Sequence, residues 1–312
     1  MGHRGVWGLN AAYRRTVSTV IETQKLTKSF GSTRALDGLD LSVEQGEVHG
    51  FLGPNGAGKT TTIRVLLGLL KADGGTASLL GANPWTDIES IHRRIAYVPG
   101  DVTLWPNLTG GEVIDLLGRL RGDLDKDRRA ALLERFDLDP TKKCRSYSKG
   151  NRQKVALVAA LASRAEVFLL DEPTAGLDPL MEAAFSDVAR DLKNDGRTIL
   201  LSSHILSEVE RLSDRISIIR GGRIVEVGTL DDMRKLHTTT VSASVRGPVP
   251  SLQGMAGVTG LTIEGNQVRF SVDAENLDKA IVTIGAAGLD SLVSEPPSLE
   301  QLFLSKYEGG AQ

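Results

Sequence analysis

One nine-residue stretch constrains the fold of this chain more than any other. Residues 53–61 read GPNGAGKTT and fit the pattern G-x-x-x-x-G-K-[ST]. Glycines at this spacing let the backbone turn tightly and direct successive N–H groups inward, where they can bind phosphate oxygens. The mostly apolar residues 48–52 predict a buried strand before the stretch, and residues 61–70 predict a helix after it. The predicted unit is therefore strand, phosphate loop and helix, with phosphates at the helix N-terminus.

Every residue of this predicted loop is a candidate for nucleotide binding: Gly53, Pro54, Asn55, Gly56, Ala57, Gly58, Lys59, Thr60 and Thr61. The Lys59 ammonium can reach the β- and γ-phosphates, and the Thr60 hydroxyl can ligate Mg²⁺. A chance match in a chain with 34 glycines is the alternative, and the flanking strand and helix argue against it.

Composition restricts the class of protein. The 312 residues suffice for one large domain and one small domain. A formal net charge of −2 gives no electrostatic reason to expect nucleic acid as a partner. The single cysteine, Cys144, excludes an intrachain disulfide. No run approaches the ~18–20 apolar residues that a membrane span needs, and residues 1–19 are predicted to be a frayed tail.

The order of the segments predicts two domains. Buried strands alternate with helices over residues 20–236, which predicts an α/β sheet domain with an edge strand at 20–28 and a helical insertion at about 105–162. Residues 241–307 predict a small α+β domain with a hairpin turn at Gly265 and Asn266. This small domain contains no Cys, no His and no phosphate loop, so we expect it to serve regulation or protein contact, including dimerisation.

A second candidate segment is the apolar strand 167–170, which ends in Asp171 and Glu172. Beside a phosphate loop, Asp171 can hold Mg²⁺ through water, while Glu172 can orient or deprotonate an attacking water. A charged turn is the alternative reading of these acids, and the phosphate loop makes it the weaker one. Ser148 is expected to be the N-cap of a helix at 153–162.

Taken together, these segments resemble the ATP-binding subunit of an ABC transporter over roughly residues 20–236. Residues 53–61 match the first nucleotide motif of that family, residues 147–151 (YSKGN) its signature segment, and residues 169–172 its second nucleotide motif. Residues 175–178 match the loop that follows, and His204 matches the switch histidine. Phe30 lies where the family stacks an aromatic ring on adenine.

The resemblance implies a P-loop NTPase fold, binding of ATP and Mg²⁺, and a head-to-tail dimer, either homo- or heterodimeric. Each ATP would lie between the phosphate loop of one subunit and Ser148, Lys149, Gly150 and Asn151 of the other, with Asp178 nearby. Catalysis is assigned to Lys59, Glu172 and His204, and metal binding to Thr60 and Asp171. For His204 alone, a structural role would be the ordinary reading.

Two positions depart from the family pattern. Tyr147, Lys149 and Asn151 replace the commoner Leu, Gly and Gln, and we interpret this as a variant signature because Ser148 and Gly150 remain. Gly100 lies where the family has a glutamine that reaches Mg²⁺. We hypothesise that Asp101 supplies the missing metal contact, with an exposed turn acid as the alternative.

Residues 295–304 are similar to the C-terminal segment of ATP-binding subunits from prokaryotic ABC-2 type exporters, including the daunorubicin/doxorubicin-resistance type. This implies an ATPase motor that is cytoplasmic and peripheral on the inner face of the cell membrane. It would pair with a separate polytopic membrane subunit and export a hydrophobic or drug-like substrate. The alternatives are the motor of an importer and a soluble ABC ATPase that acts on ribosomes or DNA. One nucleotide domain and no sustained heptads argue against the soluble class.

Overall fold

The computed structural model describes residues 18–122, 124–235 and 238–295. These residues form two compact units. The first contains the described residues up to Ile205 together with Arg211–Val227, and the second contains Leu206–Glu210 and the described residues from Gly228 onward. The N-terminal tail predicted for residues 1–19 lies almost wholly outside the described residues. So does most of the 295–304 segment.

The first part of the chain contributes β1 (Thr19–Phe30), β2 (Thr33–Glu44), β3 (Val48–Leu52), α1 (Lys59–Leu66), β4 (Gly74–Leu79), α2 (Ile88–His92), β5 (Ile95–Val98), α3 (Gly110–Arg121), α4 (Lys126–Arg135) and α5 (Lys149–Leu161). The next part contributes β6 (Val167–Asp171), α6 (Pro179–Asn194), β7 (Thr198–Ser203), α7 (Leu206–Leu212), β8 (Arg215–Arg220) and β9 (Arg223–Gly228). The remainder contributes α8 (Leu230–Lys235), β10 (Thr239–Val245), β11 (Val258–Glu264), β12 (Gln267–Val272), α9 (Leu277–Gly285) and β13 (Leu289–Glu295).

A six-stranded sheet carries the candidate site. Its strand order is β5-β6-β7-β3-β8-β9, and the pairings from β5 to β8 are parallel. Strands β3, β6 and β7 are buried along their whole length, which explains why most of their residues are apolar. Because β3, β6 and β7 are adjacent and parallel, the loops at their carboxyl ends meet at one edge of the sheet.

A second sheet corrects the prediction of an edge strand at residues 20–28. The strand β1 is the middle strand of an antiparallel sheet with order β2-β1-β4. The alternation of apolar and polar residues in its sequence is interrupted because the strand register shifts on both sides. The shift in the pairing with β2 lies between Thr23 and Leu26, and the shift in the pairing with β4 lies between Gln24 and Thr27. Lys25 lies in this stretch with a φ of 47°. Bulged backbone of this kind breaks the period-two pattern by which a paired strand is recognised.

Helices α3 and α5 begin at side-chain caps. Thr109 and Glu112 form a capping box at the start of α3. The Ser148 hydroxyl accepts the Asn151 N–H at 3.2 Å, so the N-cap prediction for Ser148 is confirmed, although α5 begins at Lys149 rather than at residue 153. Helix α1 likewise begins at Lys59 and ends at Leu66, whereas the sequence predicted 61–70. Helix α6 was missed.

A buried chain of polar side chains joins β3 to β8. The His49 imidazole is fully buried, with Nδ1 2.9 Å from Glu47 Oε1 and Nε2 2.8 Å from Ser217 Oγ. Burial opposes ionisation of Glu47, but hydrogen bonds from His49 and from the Glu44 N–H, with the charges of His49 and Arg215, hold its pKa below the ordinary value. The polar side-chain atoms of Glu47, His49 and Ser217 therefore all have partners, as buried polar groups require.

The second unit is a small α+β domain. Its antiparallel sheet has the order β11-β12-β10-β13, and the hairpin predicted at Gly265 and Asn266 is confirmed between β11 and β12. Its core includes Val241, Phe270, Ala280 and Ile284. Helix α8 was not predicted. Within the described ranges, no helix is both long enough and apolar enough to cross a membrane.

Candidate active site

The predicted phosphate loop follows the buried strand β3 directly and leads into α1. Gly58 is the N-cap of α1 with a left-handed φ of 116°, and a Cβ there would lie 2.8 Å from the carbonyl oxygen of Ala35. A Cβ at Gly53 would lie 2.5 Å from the carbonyl oxygen of Ile219 on β8. Both positions therefore require glycine, one for its dihedral angle and both for space. The remaining loop residues, Pro54, Asn55, Gly56 and Ala57, lie between these two contacts.

The Lys59 side chain folds back onto the start of this loop. Its Nζ donates to the carbonyl oxygens of Gly53 at 2.6 Å and Pro54 at 3.2 Å, and it lies 3.6 Å from Glu172 Oε1. The side chain is 5% exposed. Burial lowers the pKa of Lys59, and the negative charges of Glu172 and Asp171 oppose that shift. A cation is thus held in the loop by carbonyl groups and by two carboxylates.

Asp171 links the phosphate loop to β7. It is 2% exposed, and its two carboxylate oxygens accept hydrogen bonds from Thr60 Oγ1 at 2.8 Å and from Ser202 Oγ at 2.5 Å. The sequence analysis assigned no role to Ser202. Its relation to Asp171 depends on the parallel register in which Asp171 is opposite Ser202. Burial, with the charge of Asp171, raises the pKa of nearby Tyr97 to about 12, so its phenol remains neutral.

Glu172 and His204 meet beside Lys59. The His204 Nδ1 lies 3.1 Å from Glu172 Oε1, and both side chains are partly accessible to solvent. Glu172 has a φ of 48°, a left-handed conformation that is uncommon for a residue other than glycine. Such strain persists only where surrounding contacts hold the backbone in place. The structure therefore brings together the three residues that the sequence analysis assigned to catalysis.

Gly100 lies against the same turn. A Cβ at this position would lie 3.2 Å from the carbonyl oxygen of Asp171 and 3.7 Å from the Cβ of Glu172. Its neighbour Asp101 is exposed and makes no hydrogen bond or ion pair with any residue that the structure describes. The position of Gly100 beside the acids is thus clear, whereas the structure does not bring Asp101 into contact with Thr60 or Asp171.

The predicted signature residues form a separate surface. Ser148 and Lys149 are exposed at the start of α5, and Gly150 and Asn151 follow in its first turn. This segment contacts the loop at residues 175–178 rather than the Lys59 cluster, because a Cβ at Gly150 would lie 2.5 Å from the carbonyl oxygen of Gly176. Asp178 is the N-cap of α6, with Oδ1 accepting the Met181 N–H at 3.0 Å.

Phe30 lies at the end of β1 with half of its surface exposed. The Nζ of Lys28 is 5.8 Å from the centre of its ring and pairs with Asp73 at 2.7 Å. The geometry leaves ring surface open to solvent, as a stacking platform requires.

These contacts define the class of protein. A phosphate loop at a helix N-terminus adjoins a buried carboxylate that binds the loop threonine, and a second carboxylate lies between a lysine and a histidine. This is the arrangement of a P-loop nucleoside triphosphatase.

Comparison with known proteins gives the family. The model of the ABC transporter family matches residues 36–175. The daunorubicin resistance ATP-binding protein DrrA3 of Streptomyces coeruleorubidus is 36% identical over 300 residues, which cover 92% of this chain and 95% of that protein. The chain therefore belongs to the ABC transporter family, as an ATP-binding ATPase subunit of a transporter.

Solved structures agree with this assignment. A structure described as an ATP-binding subunit of an ABC transporter is 33% identical, with a TM-score of 0.65, covering 70% of this chain and 93% of that one. The dimeric structure of a bacterial ABC transporter cassette is 25% identical, with a TM-score of 0.61, covering 67% of this chain and 98% of that one. The α/β P-loop fold predicted from sequence is confirmed.

Proposed function

We propose that this ATPase drives export of a hydrophobic, drug-like substrate through a separate polytopic membrane subunit. The observation that carries the motor chemistry is the convergence of Lys59, Glu172 and His204 beside the Thr60–Asp171 pair. The direction and substrate class are supported by the relative named for daunorubicin resistance, with which nearly the whole chain aligns.

In this proposal each side chain of the cluster has one task. Lys59 neutralises charge on the β- and γ-phosphates, which bind the N–H groups of residues 53–61 at the start of α1. Glu172 accepts a proton from the attacking water. His204, hydrogen-bonded to Glu172, contacts the γ-phosphate and helps to place that water.

The residues also fit Mg²⁺. Thr60 and Asp171 supply hard oxygen donors, and their mutual hydrogen bond already brings a hydroxyl and a carboxylate together at the mouth of the loop. When bound there, Mg²⁺ would neutralise developing phosphate charge. Ser202 holds the other Asp171 oxygen, so the carboxylate has a fixed orientation toward Thr60.

A second subunit completes the site in this proposal. Ser148, Lys149, Gly150 and Asn151 present the N–H groups of a helix N-terminus and a positive charge, which suit the γ-phosphate of an ATP bound by the partner subunit. Residues 175–178, including Asp178, would lie at the same interface, and Phe30 would stack on adenine. The likeness to a dimeric cassette supports this arrangement.

An apolar groove in the first unit supports a membrane partner. Its volume is about 450 Å³, and its lining includes Leu69, Trp105 and Leu120, which are 62%, 50% and 74% exposed. Large exposed apolar side chains around one groove are typical of a protein contact. In the proposed assembly this groove receives a segment of the membrane subunit on the inner face of the cell membrane, and no nucleic acid is bound.

Affinity purification from membranes tests the proposed assembly. The wild-type chain should bring down one polytopic membrane protein, whereas a Leu120→Glu variant should lose that protein and keep its ATPase rate. Recovery of ribosomal or DNA-bound material instead would support the soluble class. Recovery of the membrane protein together with a solute-binding protein would support an importer.

We propose that Asp101 supplies a metal contact in place of a side chain at Gly100. The turn allows this because Gly100 lies directly over Asp171, and Asp101 has no competing partner among the described residues. A lost positioning contact worth about 1.4 kcal/mol slows a reaction about tenfold. Asp101→Ala should therefore lower the hydrolysis rate about tenfold and raise the Mg²⁺ concentration for half-maximal rate. If both quantities match the wild type, Asp101 is only a turn residue.

We propose that the small domain predicted at 241–307 serves dimerisation or regulation. Its described part contains no phosphate loop, and its core is an apolar cluster of strand and helix residues. A chain ending after residue 236 should bind ATP with nearly unchanged affinity, measured by fluorescence titration, while its ATP-dependent dimer weakens. A folded truncation that loses ATP affinity would contradict this division of labour.

A further inference from the structure

One buried side chain joins helix α5 to the turn that carries Glu172. Gln153, in the second turn of α5, is 1% exposed, and its Nε2 donates to the carbonyl oxygen of Pro173 at 2.9 Å. Pro173 directly follows Glu172 in sequence. The Gln153 amide therefore connects α5 to Pro173, the residue that follows the candidate general base Glu172. The N-terminus of α5 is exposed.

The backbone at Glu172 depends on such contacts. Its φ of 48° is unfavourable for a glutamate, and its N–H donates to the carbonyl oxygen of Ser202 at 3.0 Å. Its own carbonyl accepts the Ala175 N–H at 3.1 Å. Gln153 supplies the third contact, one residue further along. Together these three hydrogen bonds restrain the backbone that carries the Glu172 carboxylate beside His204 and Lys59.

A second contact joins the same two segments. The first turn of α5 packs so closely on the loop at 175–178 that a Cβ at Gly150 would lie 2.5 Å from the carbonyl oxygen of Gly176. The Cγ and Cδ of Lys149 also pack at Gly176, each 3.5 Å from the position of a Cβ there. A displacement of the start of α5 is therefore resisted at two points of the segment that follows Glu172, at Pro173 and at Gly176.

We infer that Gln153 is a positioning residue that couples the two ATP sites of the dimer. An anion bound at the α5 N-terminus fixes this helix, and the amide of Gln153 then fixes the Pro173 carbonyl and, through it, the Glu172 carboxylate of the same subunit. A displacement of about 1 Å at a reacting group can cost about 100-fold in rate. The inference rests on the proposed dimer, in which the α5 N-terminus contacts the ATP of the partner subunit.

The test is steady-state hydrolysis by the full chain as a function of ATP concentration. Gln153→Met keeps the size of the side chain and removes the donor. We expect kcat to fall about tenfold and the Hill coefficient to fall toward one, while ATP affinity of the monomer stays unchanged. Gln24→Met is the matched control and should behave as wild type, because Gln24 is exposed and its side-chain amide donates to the exposed Glu22 carboxylate.

A second variant keeps the inference falsifiable if Gln153→Met folds poorly. Gln153→Glu can donate to Pro173 only when its carboxyl is protonated, so its rate relative to the wild type should rise as pH falls from 8 to about 6. Variants that fold and bind ATP but keep the wild-type kcat and Hill coefficient would overturn the inference. A wild-type chain that hydrolyses no ATP would instead contradict the proposed function itself.

Discussion

Glu172→Gln is expected to reduce ATP turnover at least about 100-fold while ATP binding is retained. General-base catalysis contributes about 10²–10⁴-fold to a rate, and glutamine keeps the size of the side chain but cannot accept the proton. The change also removes the negative charge 3.6 Å from Lys59, so the ammonium is expected to hold ATP at least as well as before. Phosphate release and fluorescence titration with a nucleotide analogue measure the two quantities.

The matched control for this variant is Glu166→Gln. Glu166 precedes β6, is about half exposed and pairs with Arg94 at 2.6 Å, so the same chemical change there lies outside the site. Its turnover should stay within about twofold of the wild type, because exposed ion pairs contribute about 0–1 kcal/mol. Equal losses in both variants would mean that Glu172 acts on stability rather than on the reaction.

His49→Ala is expected to lower the free energy of unfolding by about 3–5 kcal/mol. The substitution removes the buried imidazole, so the Glu47 carboxylate and the Ser217 hydroxyl each lose the hydrogen bond with His49, and Glu47 keeps the one from the Glu44 N–H. Urea unfolding monitored by circular dichroism gives this value. His92→Ala is the control, because His92 is exposed and its ring contacts the Leu67 carbonyl oxygen, so the loss there should be about 1 kcal/mol.

The pH dependence of this buried chain has a definite sign. The pKa of Glu47 is lowered from 4.5 in the folded protein, mainly by hydrogen bonds from His49 and Glu44 that outweigh burial. Its stabilising contribution is therefore fully present above pH 4.5 and is lost as pH falls through the folded-state pKa. His49→Ala should show a smaller loss of stability on acidification than the wild type.

The chemistry of the site was predictable because each key residue lies within a short motif. Residues 53–61 predicted the phosphate loop because their spacing has a local backbone reason, and the flanking residues 48–52 and 61–70 predicted the strand and the helix. The pair Asp171–Glu172 was recognised because an apolar strand ends there. Ser202 and Gln153 were missed, because their partners Asp171 and Pro173 are distant in sequence and meet only through strand register and helix packing.

The errors in the fold have equally specific causes. The bulges in β1 make its alternation of apolar and polar residues irregular, so the sequence did not identify it as the middle strand of its sheet. Helix α6 carried visible signals, with Asp178 as N-cap and Pro179 at its first position, but Asp178 had been interpreted as part of a nucleotide motif. His49 looked like an ordinary member of a buried strand, since neither Glu47 nor Ser217 could be assigned to it before the sheet was known.

The central claim is that two chains enclose ATP between the phosphate loop of one and the α5 N-terminus of the other. The direct measurement is the molar mass of Glu172→Gln by light scattering in ATP with Mg²⁺ and in ADP. We expect twice 33.4 kDa with ATP and 33.4 kDa with ADP. Adding Ser148→Asp keeps a good N-cap but places negative charge against the phosphate, and should return the ATP sample to 33.4 kDa. A mass of 33.4 kDa for Glu172→Gln in ATP would contradict the claim. A dimer that forms equally in ATP and ADP and persists after Ser148→Asp would contradict it as well.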